Sequence, residues 1–241
     1  MRSAANDEPH FSLVVLCYRS GKSVIPHVEK LHEMLSLLSR SWEIVLVGNY
    51  EEASKDETPE VVQELARRLP NVRALALPKK GMMGWDMRLG LQEARGRYIG
   101  VIDGDGQFPF EAIFSCLFKL EIEDLDLVKT YRVRRGDGFY RSVISKGYNL
   151  IFNALFGFGE RDVNSKPKIL KREKYRELDL HSDDWFTDAE MMIRAHELGF
   201  KIADLPIHFA ANRERDSFVS VRSIWEFLRN MFRYRFGRRP R

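Results

Sequence analysis

The sequence predicts an α/β protein with a mostly parallel sheet that is covered by helices. In the first hundred residues, short apolar runs alternate with helical patterns about every 30 residues, which is typical of parallel strands joined by helices. The chain has 241 residues, enough for one large α/β domain or two small ones, and its hydrophobic content of 44% supports a substantial core. One apolar run, from Tyr98 to Ile102, leads directly into two carboxylates, as a buried strand leads into a ligand site at the edge of such a sheet.

The individual elements follow from the spacing of apolar residues along the chain. Residues 11–18 form an almost unbroken apolar run, typical of a buried strand, and residues 23–38 carry apolar side chains at helical spacing. Thr58 as N-cap and Pro59 at the first position predict a helix start, and Gly199 predicts a helix end. The other expected elements are strands at 43–47, 72–77, 126–131 and 201–209, helices at 58–69, 83–94, 111–120, 141–156 and 185–198, a polar loop at 132–138, and an extended segment at 163–170.

The basic residues are concentrated at the C-terminus. The net charge is +4, and residues 213–241 contain nine arginines against three acidic residues. The rest of the chain is slightly acidic, which argues against a nucleic-acid-binding surface and for a local anionic partner. From residue 218 apolar residues recur at three- and four-residue spacing, with arginines on another face. We therefore divide the chain into a domain at 1–216 and a basic amphipathic helix and tail at 217–241, which either packs on the domain or lies on an anionic membrane surface.

Two cysteines, Cys17 and Cys116, lie in apolar patterns without the spacing of a metal or redox motif. They indicate buried thiols in a reducing compartment. The N-terminus is polar, and no apolar run approaches the roughly 20 residues that span a bilayer. The expected location is the cytoplasm, with the inner face of the cell membrane as the surface that the tail would contact.

Asp103, Asp105 and Gln107 alternate at the end of the central strand. With only Gly104 between them, the two carboxylates can point at one position, and oxygen ligands of this kind suit Mg²⁺ or Mn²⁺ shared with substrate phosphates. An ordinary Asp/Gly turn is the alternative. The phosphate-binding glycine motifs of dinucleotide and P-loop proteins are missing from the sequence, and so is the Gly-x-Ser-x-Gly motif of serine hydrolases. The carboxylate pair is therefore the main chemical lead.

Several further stretches accompany the carboxylate pair in a fixed order: 13–17, 54–58, 80–84, 90–96, 103–107, 132–145, Asp162, 188–190 and 213–217. Together they resemble family 2 glycosyltransferases of the GT-A (nucleotide-diphospho-sugar transferase, Rossmann-like) fold. Within that family the chain is most similar to the dolichol-phosphate-mannose synthase and polyprenyl-phosphate glycosyltransferase branch. The resemblance implies an inverting transfer of a hexose from a nucleotide-diphosphate sugar to a polyprenyl phosphate or another lipid-linked or cell-surface glycan acceptor, with Mg²⁺ or Mn²⁺ on the donor diphosphate.

The resemblance also implies roles for individual residues. Asp103, Asp105 and Gln107 would hold the metal, and Asp105, Asp188 and Arg213 would be catalytic, Asp188 as a candidate base. A phosphate acceptor, whose second pKa is near 6, would need little deprotonation. The implied donor site comprises Cys17, Arg19, Asn49, Asp56, Lys80, Gly81, Asp103, Gly104, Asp105, Gln107, Arg213 and Arg215. The implied acceptor site comprises Arg132, Arg135, Arg141, Ser145 and Glu190.

Each of these side chains also has an ordinary structural explanation. Acidic residues such as Asp188 and Glu190 are favourable at a helix N-terminus. Arginine pairs bidentately with phosphate, yet arginine clusters are commonly just solvated surface.

The sequence departs from the family pattern in three places. Asn49 stands where relatives carry two adjacent aspartates that contact the nucleotide base, Arg19-Ser20 replaces a common Asn-Glu pair, and Asp216 replaces a glycine. The nucleotide and the sugar are therefore open, as is homo-oligomerisation. Two other classes of protein are alternatives. One is a haloacid-dehalogenase-like phosphatase, whose Asp-x-Asp lies in the first strand, and the other is a non-catalytic GT-A-like binding protein.

Overall fold

A computed structural model describes residues 8–135, 139–209 and 221–237. Within these residues one sheet of seven strands has the order β3-β2-β1-β4-β6-β5-β7. The strands are β1 (Phe11–Leu16), β2 (Trp42–Val47), β3 (Val72–Leu75), β4 (Tyr98–Asp103), β5 (Leu127–Arg135), β6 (Lys168–Lys171) and β7 (Ile202–Phe209).

The sheet is parallel except for β6, which runs antiparallel to both of its neighbours, β4 and β5. The first strand pairs with β2 on one side and β4 on the other, so that Leu16 lies opposite both Val47 and Asp103. The carboxyl ends of these three strands therefore meet at one edge. Because β1 and β2 are buried on both faces, they read as continuous apolar runs in the sequence. The predicted α/β class with a mostly parallel, helix-covered sheet is confirmed.

Helices cover both faces of the sheet. Alternate residues of β1 face opposite sides: Leu13 and Val15 join an apolar cluster with the first, second and fourth helices, and Val14 and Leu16 join a cluster with the others. The helices are α1 (Val24–Leu35), α2 (Thr58–Arg68), α3 (Met83–Glu93), α4 (Glu111–Ile122), α5 (Phe139–Phe156), α6 (Arg172–Leu178), α7 (Thr187–Glu197) and α8 (Val221–Phe236).

The structure differs from the sequence-based elements in the second half of the chain. The expected loop at 132–138 is wrong in its first part, because β5 continues to Arg135 and pairs with β7 through an irregularity between Arg132 and Arg134. Pairing with a neighbouring strand outweighs the polar composition there. The extended segment at 163–170 forms a strand only at Lys168–Lys171, and the short helix α6 has no counterpart in the prediction.

The C-terminal helix α8 packs on the domain. Met231 is fully buried in the second apolar cluster, with Leu228 and Tyr234 packed beside it. On the outer side, Phe232 is 49% exposed and Phe236 is 71% exposed. Among the residues that the structure describes, no helix is long and apolar enough to cross a membrane. The domain boundary at 216/217 falls outside the described residues and stays a prediction.

Candidate functional site

The turn at residues 103–107, hereafter the carboxylate turn, extends the pairing of β4 with β1 by one residue. The Gly104 amide donates a hydrogen bond to the Leu16 carbonyl oxygen over 2.8 Å. A Cβ atom on Gly104 would lie only 2.9 Å from that oxygen, so the close approach requires glycine here. Asp105 Oδ1 then accepts a hydrogen bond from the Gln107 amide over 3.1 Å. The turn thus brings Asp103, Asp105 and Gln107 together at the edge where β1, β2 and β4 end.

The chemistry of the carboxylate turn fits a divalent cation that is shared with a substrate. In the described ranges, no three His, Cys, Asp or Glu side chains are grouped so as to hold a metal ion by themselves. The turn contains two carboxylates and the amide side chain of Gln107. Mg²⁺ keeps several waters and binds through one or two carboxylates together with substrate phosphates, so this partial ligand set suits Mg²⁺ or Mn²⁺ on a diphosphate. The metal ligands stay a prediction.

Two buried lysines, Lys166 and Lys168, stand behind the carboxylate turn and were missed by sequence reasoning. Lys168 Nζ lies 2.5 Å from Asp188 Oδ1, and Lys166 Nζ lies 3.1 Å from Asp188 Oδ2. The Lys166 ammonium also lies 3.3 Å from Asp103 Oδ1. The sequence did contain a signal for them, the pattern Lys-Pro-Lys at the start of an apolar strand. Lysines that are buried in a sheet must be paired with acidic groups, so this pattern indicates a buried ion pair. A chain of ion pairs therefore connects the start of α7 to the carboxylate turn.

The two lysines keep the carboxyl group of Asp188 ionised, although this residue is only 1% exposed. Burial alone would raise the pKa of this carboxyl, but the attraction of Lys166 and Lys168 outweighs it and lowers the pKa to about 2. Asp188 is therefore an ionised carboxylate with an ammonium on each oxygen. These surroundings favour an anchoring role, and its role as a base stays untested.

Glu190 is also buried, and its carboxylate holds the loop that precedes α7. It accepts hydrogen bonds from the backbone amides of His181, over 3.1 Å, and Ser182, over 2.8 Å. The Asp183 carbonyl in the same loop accepts hydrogen bonds from the Met82 and Trp85 amides at the start of α3. The structure therefore places Glu190 in the support of this loop, and its predicted contact with an acceptor stays untested.

Gly81 and Gly84, at the start of α3, lie against the same loop. A Cβ atom on Gly84 would lie 1.9 Å from Thr187 Oγ1, and one on Gly81 would lie 2.9 Å from the Asp183 Cβ atom. Both positions need glycine because the loop lies directly against them. Lys80, a predicted donor ligand, is exposed beside this contact.

Asn49, at the end of β2, is completely buried. Its Nδ2 donates to Asp86 Oδ1 over 2.8 Å, and its Oδ1 accepts from the Leu77 amide over 2.9 Å. Asp86 is further paired with Lys79. Burial raises the pKa of Asp86, although Lys79 and Asn49 oppose this. The Asn49 side chain therefore joins β2, β3 and α3, and its predicted contact with a donor stays untested.

Arg19 and Glu51 are exposed polar residues at this end of the sheet. Glu51 accepts hydrogen bonds from the Tyr18 hydroxyl over 2.7 Å and from the Arg19 guanidinium over 3.0 Å. Burial and the hydrogen bond to Glu51 raise the pKa of Tyr18 to about 12. Neither Tyr18 nor Glu51 was singled out from the sequence.

Cys17 and Asp56 are the last described residues of the predicted donor-binding site. Cys17 is buried, and its amide donates to the Val47 carbonyl oxygen over 2.9 Å. Asp56 Oδ1 accepts hydrogen bonds from both the amide and the hydroxyl of Thr58, whose oxygen accepts one from the Gly21 amide over 2.8 Å. Asp56 therefore fixes the start of α2 against the turn that follows β1.

The predicted acceptor residues are described only in part. Arg132 forms a bidentate ion pair with Asp162, with both N–O distances 2.7 Å, so its charge is already balanced. Ser145 is half-buried in α5, where its carbonyl oxygen accepts a hydrogen bond from Asn149. The side chains of Arg135 and Arg141, and all of Arg213 and Arg215, lie outside the described part of the chain.

The sequence model for glycosyl transferase family 2 matches residues 12–214. A dolichyl-phosphate beta-glucosyltransferase of Dictyostelium discoideum is 26% identical over 217 residues, which cover 83% of this chain and 65% of the relative. A dodecaprenyl-phosphate galacturonate synthase of Rhizobium johnstonii is 29% identical over 171 residues, 70% of this chain and 50% of the relative. The chain thus spans less than two thirds of the length of these relatives.

Among solved structures, glucosyl-3-phosphoglycerate synthase from Mycobacterium tuberculosis, in complex with Mn²⁺, UDP and glucosyl-3-phosphoglycerate, superimposes with a TM-score of 0.68. The two chains are 16% identical, and the match covers 95% of this chain and 80% of the other. The likeness shows a shared fold.

Proposed function

Because this chain belongs to glycosyltransferase family 2, we propose that it transfers a hexose, with inversion at the anomeric carbon, from a nucleotide-diphosphate sugar to a polyprenyl-type lipid phosphate. The observation that carries the proposal is the carboxylate turn, which presents Asp103, Asp105 and Gln107 where β1, β2 and β4 end. Ligands of open α/β sheets bind outside the carboxyl ends of the strands. The names of the Dictyostelium and Rhizobium relatives support a lipid-phosphate acceptor.

We further propose that Asp105, with Asp103 and Gln107, holds Mg²⁺ or Mn²⁺ on the donor diphosphate. When bound, the metal would neutralise the charge that develops on the departing nucleoside diphosphate. The residues of the chain orient this site: Gly104 allows β1 to approach, and the hydrogen bond between Asp105 and the Gln107 amide fixes the turn. The Mn²⁺ and UDP named for the Mycobacterium structure are consistent with this proposal.

The ion pairs of Asp188 favour a phosphate acceptor over a hydroxyl acceptor. A hydroxyl nucleophile needs a base, and a carboxylate with a pKa of about 2 and an ammonium on each oxygen is a weak one. A lipid phosphate brings its own ionised oxygen, because its second pKa is near 6. We propose that Arg135 and Arg141, with Arg213 and Arg215, pair with the acceptor and donor phosphates.

The outer face of α8 fits an anionic membrane surface, where a lipid acceptor would be found. Arg229 and Arg233 accompany the exposed rings of Phe232 and Phe236, which lie 6.2 Å apart. Basic residues near an anionic leaflet contribute about 1 kcal/mol each, and the two rings add apolar contact. The inner face, with Met231, is already used against the domain, so packing and membrane contact are compatible.

The proposal is tested with purified full chain, a panel of nucleotide-diphosphate hexoses and a short-chain polyprenyl phosphate, with Mn²⁺ or with chelator. We expect nucleoside diphosphate release that requires both the lipid phosphate and the metal. Release of phosphate from simple phosphate esters would instead favour the phosphatase alternative, which we do not propose because the Asp pair follows the fourth strand. Binding of a donor without transfer to any acceptor would favour a non-catalytic binding protein.

A further inference from the structure

Lys166 has an unusual position among the charged groups of the site. Its side chain is 4% exposed, and its ammonium lies between Asp103 Oδ1, at 3.3 Å, and Asp188 Oδ2, at 3.1 Å. Asp103 is one of the two carboxylates proposed to hold the metal. A fixed cation is therefore already placed on the group that a divalent cation would use.

Asp188 does not require Lys166 for charge balance. Lys168, which is completely buried, lies 2.5 Å from the other oxygen of Asp188 and forms a complete ion pair with it. The positive charge that remains belongs to Lys166, and its second partner is Asp103, whose side chain is 33% exposed at the carboxylate turn. The two lysines and the two aspartates together carry no net charge. The contact with Lys166 therefore cancels the negative charge that Asp103 would otherwise offer to a metal ion.

Resting on the proposed function, we propose that Lys166 is a positioning residue that occupies one oxygen of Asp103 and competes with a divalent cation for that carboxylate. Asp105 is then the main carboxylate ligand, and the site holds a metal weakly until a nucleoside diphosphate supplies further oxygens. The metal and the nucleotide therefore bind as one unit. The physical reason is that a unit positive charge within contact distance of a ligand lowers the affinity of that ligand for a second cation.

The test measures Mn²⁺ binding to the full chain by electron paramagnetic resonance, without and with UDP or GDP. Lys166→Met keeps the length of the side chain, removes its charge and leaves Asp188 paired with Lys168. We expect this variant to bind Mn²⁺ alone at least about tenfold more tightly than the wild type, with a smaller gain when the nucleoside diphosphate is present. Lys166→Arg keeps the charge and should restore weak binding.

Lys168→Met is the matched control, because it also leaves Asp188 with one ammonium but keeps the contact between Lys166 and Asp103. Its Mn²⁺ affinity should stay within about threefold of the wild type. In the Lys166→Met background, Asp103→Asn should abolish the gain, whereas in the wild-type background it should change Mn²⁺ affinity far less than Asp105→Asn does.

Equal Mn²⁺ affinity of Lys166→Met and wild type would overturn the inference, and so would an equal loss from Asp103→Asn and Asp105→Asn in the wild type. The second comparison keeps Lys166, so it decides the matter even if Lys166→Met does not fold. Failure of the wild type to bind any nucleoside diphosphate would instead count against the proposed function. The two failures are therefore distinguishable.

Discussion

Asp188→Asn is the substitution with the clearest expected effect on stability. The change removes the negative charge that both buried lysines share, so that, among the described residues, Lys166 keeps an ion pair with Asp103 and Lys168 keeps none. Breaking a buried ion pair by removing one partner costs about 3–5 kcal/mol. We expect urea unfolding at pH 7, followed by circular dichroism, to show a loss of that size in the free energy of unfolding.

The pH dependence gives a second measure of the same interaction. The pKa of Asp188 is about 2 in the folded chain against an ordinary 3.8, so the carboxylate contributes about 2 kcal/mol of stability at neutral pH. Because the folded pKa is the lower one, this contribution is complete above about pH 4 and is lost as the pH falls toward 2. The gap in stability between wild type and Asp188→Asn should therefore narrow over that interval.

Asp179→Asn serves as the control, since Asp179 has a side chain that is 73% exposed and needs no buried partner. For this variant, the free energy of unfolding at pH 7 and its decrease between about pH 4 and pH 2 should both stay close to those of the wild type. A difference below about 1 kcal/mol between Asp188→Asn and the wild type at pH 7 would refute the assignment of Asp188 as the anchor of the two lysines.

Three further predictions concern the proposed reaction and the membrane. Asp105→Asn should abolish turnover and nucleotide-dependent Mn²⁺ binding, since metal catalysis supplies several kcal/mol to the transition state; unchanged activity of the variant in chelator would contradict this. Arg135→Ala should raise the apparent KM for the lipid phosphate more than that for the donor, and a loss confined to the donor would assign Arg135 to the diphosphate. Replacing Phe232 and Phe236 by Ser should reduce co-sedimentation with anionic vesicles without loss of fold, and wild-type binding should weaken with salt; equal binding to neutral vesicles would reject an electrostatic membrane contact.

The parts of the fold that could be predicted from the sequence are those fixed by local patterns. The four strands β1 to β4 and the helices between them repeat at regular intervals, and their apolar residues face the sheet in the expected way. The carboxylate turn was also accessible, because Asp and Gly directly after a buried strand identify a strand end. Where pairing between distant strands decides the structure, as at β5 and β6, the local composition was misleading.

The charge network behind the carboxylate turn could not be predicted because its members are far apart in sequence. Lys166 and Asp188 are separated by 22 residues, and only the antiparallel placement of β6 beside β4 brings Lys166 to Asp103. A resemblance to a family assigns roles to Asp188 and Glu190 by position. It does not reveal that the carboxylate of Glu190 is engaged by loop amides or that each oxygen of Asp188 faces an ammonium.

The loop before α7 joins the C-terminal helix to the edge of the sheet that carries the carboxylate turn. Asp184 Oδ2 accepts a hydrogen bond from Asn230 of α8 over 2.5 Å, and Asp184 Oδ1 accepts one from the Phe186 amide over 2.8 Å. Two residues after Phe186 the chain reaches Asp188, which is tied through Lys166 to Asp103. The path consists of two hydrogen bonds, a short stretch of backbone and two ion pairs, and these hold α8 relative to the carboxylate turn. A membrane surface that received Phe232 and Phe236 would therefore also set the distance between the lipid phosphates and the proposed metal site, which a detached basic tail could not do.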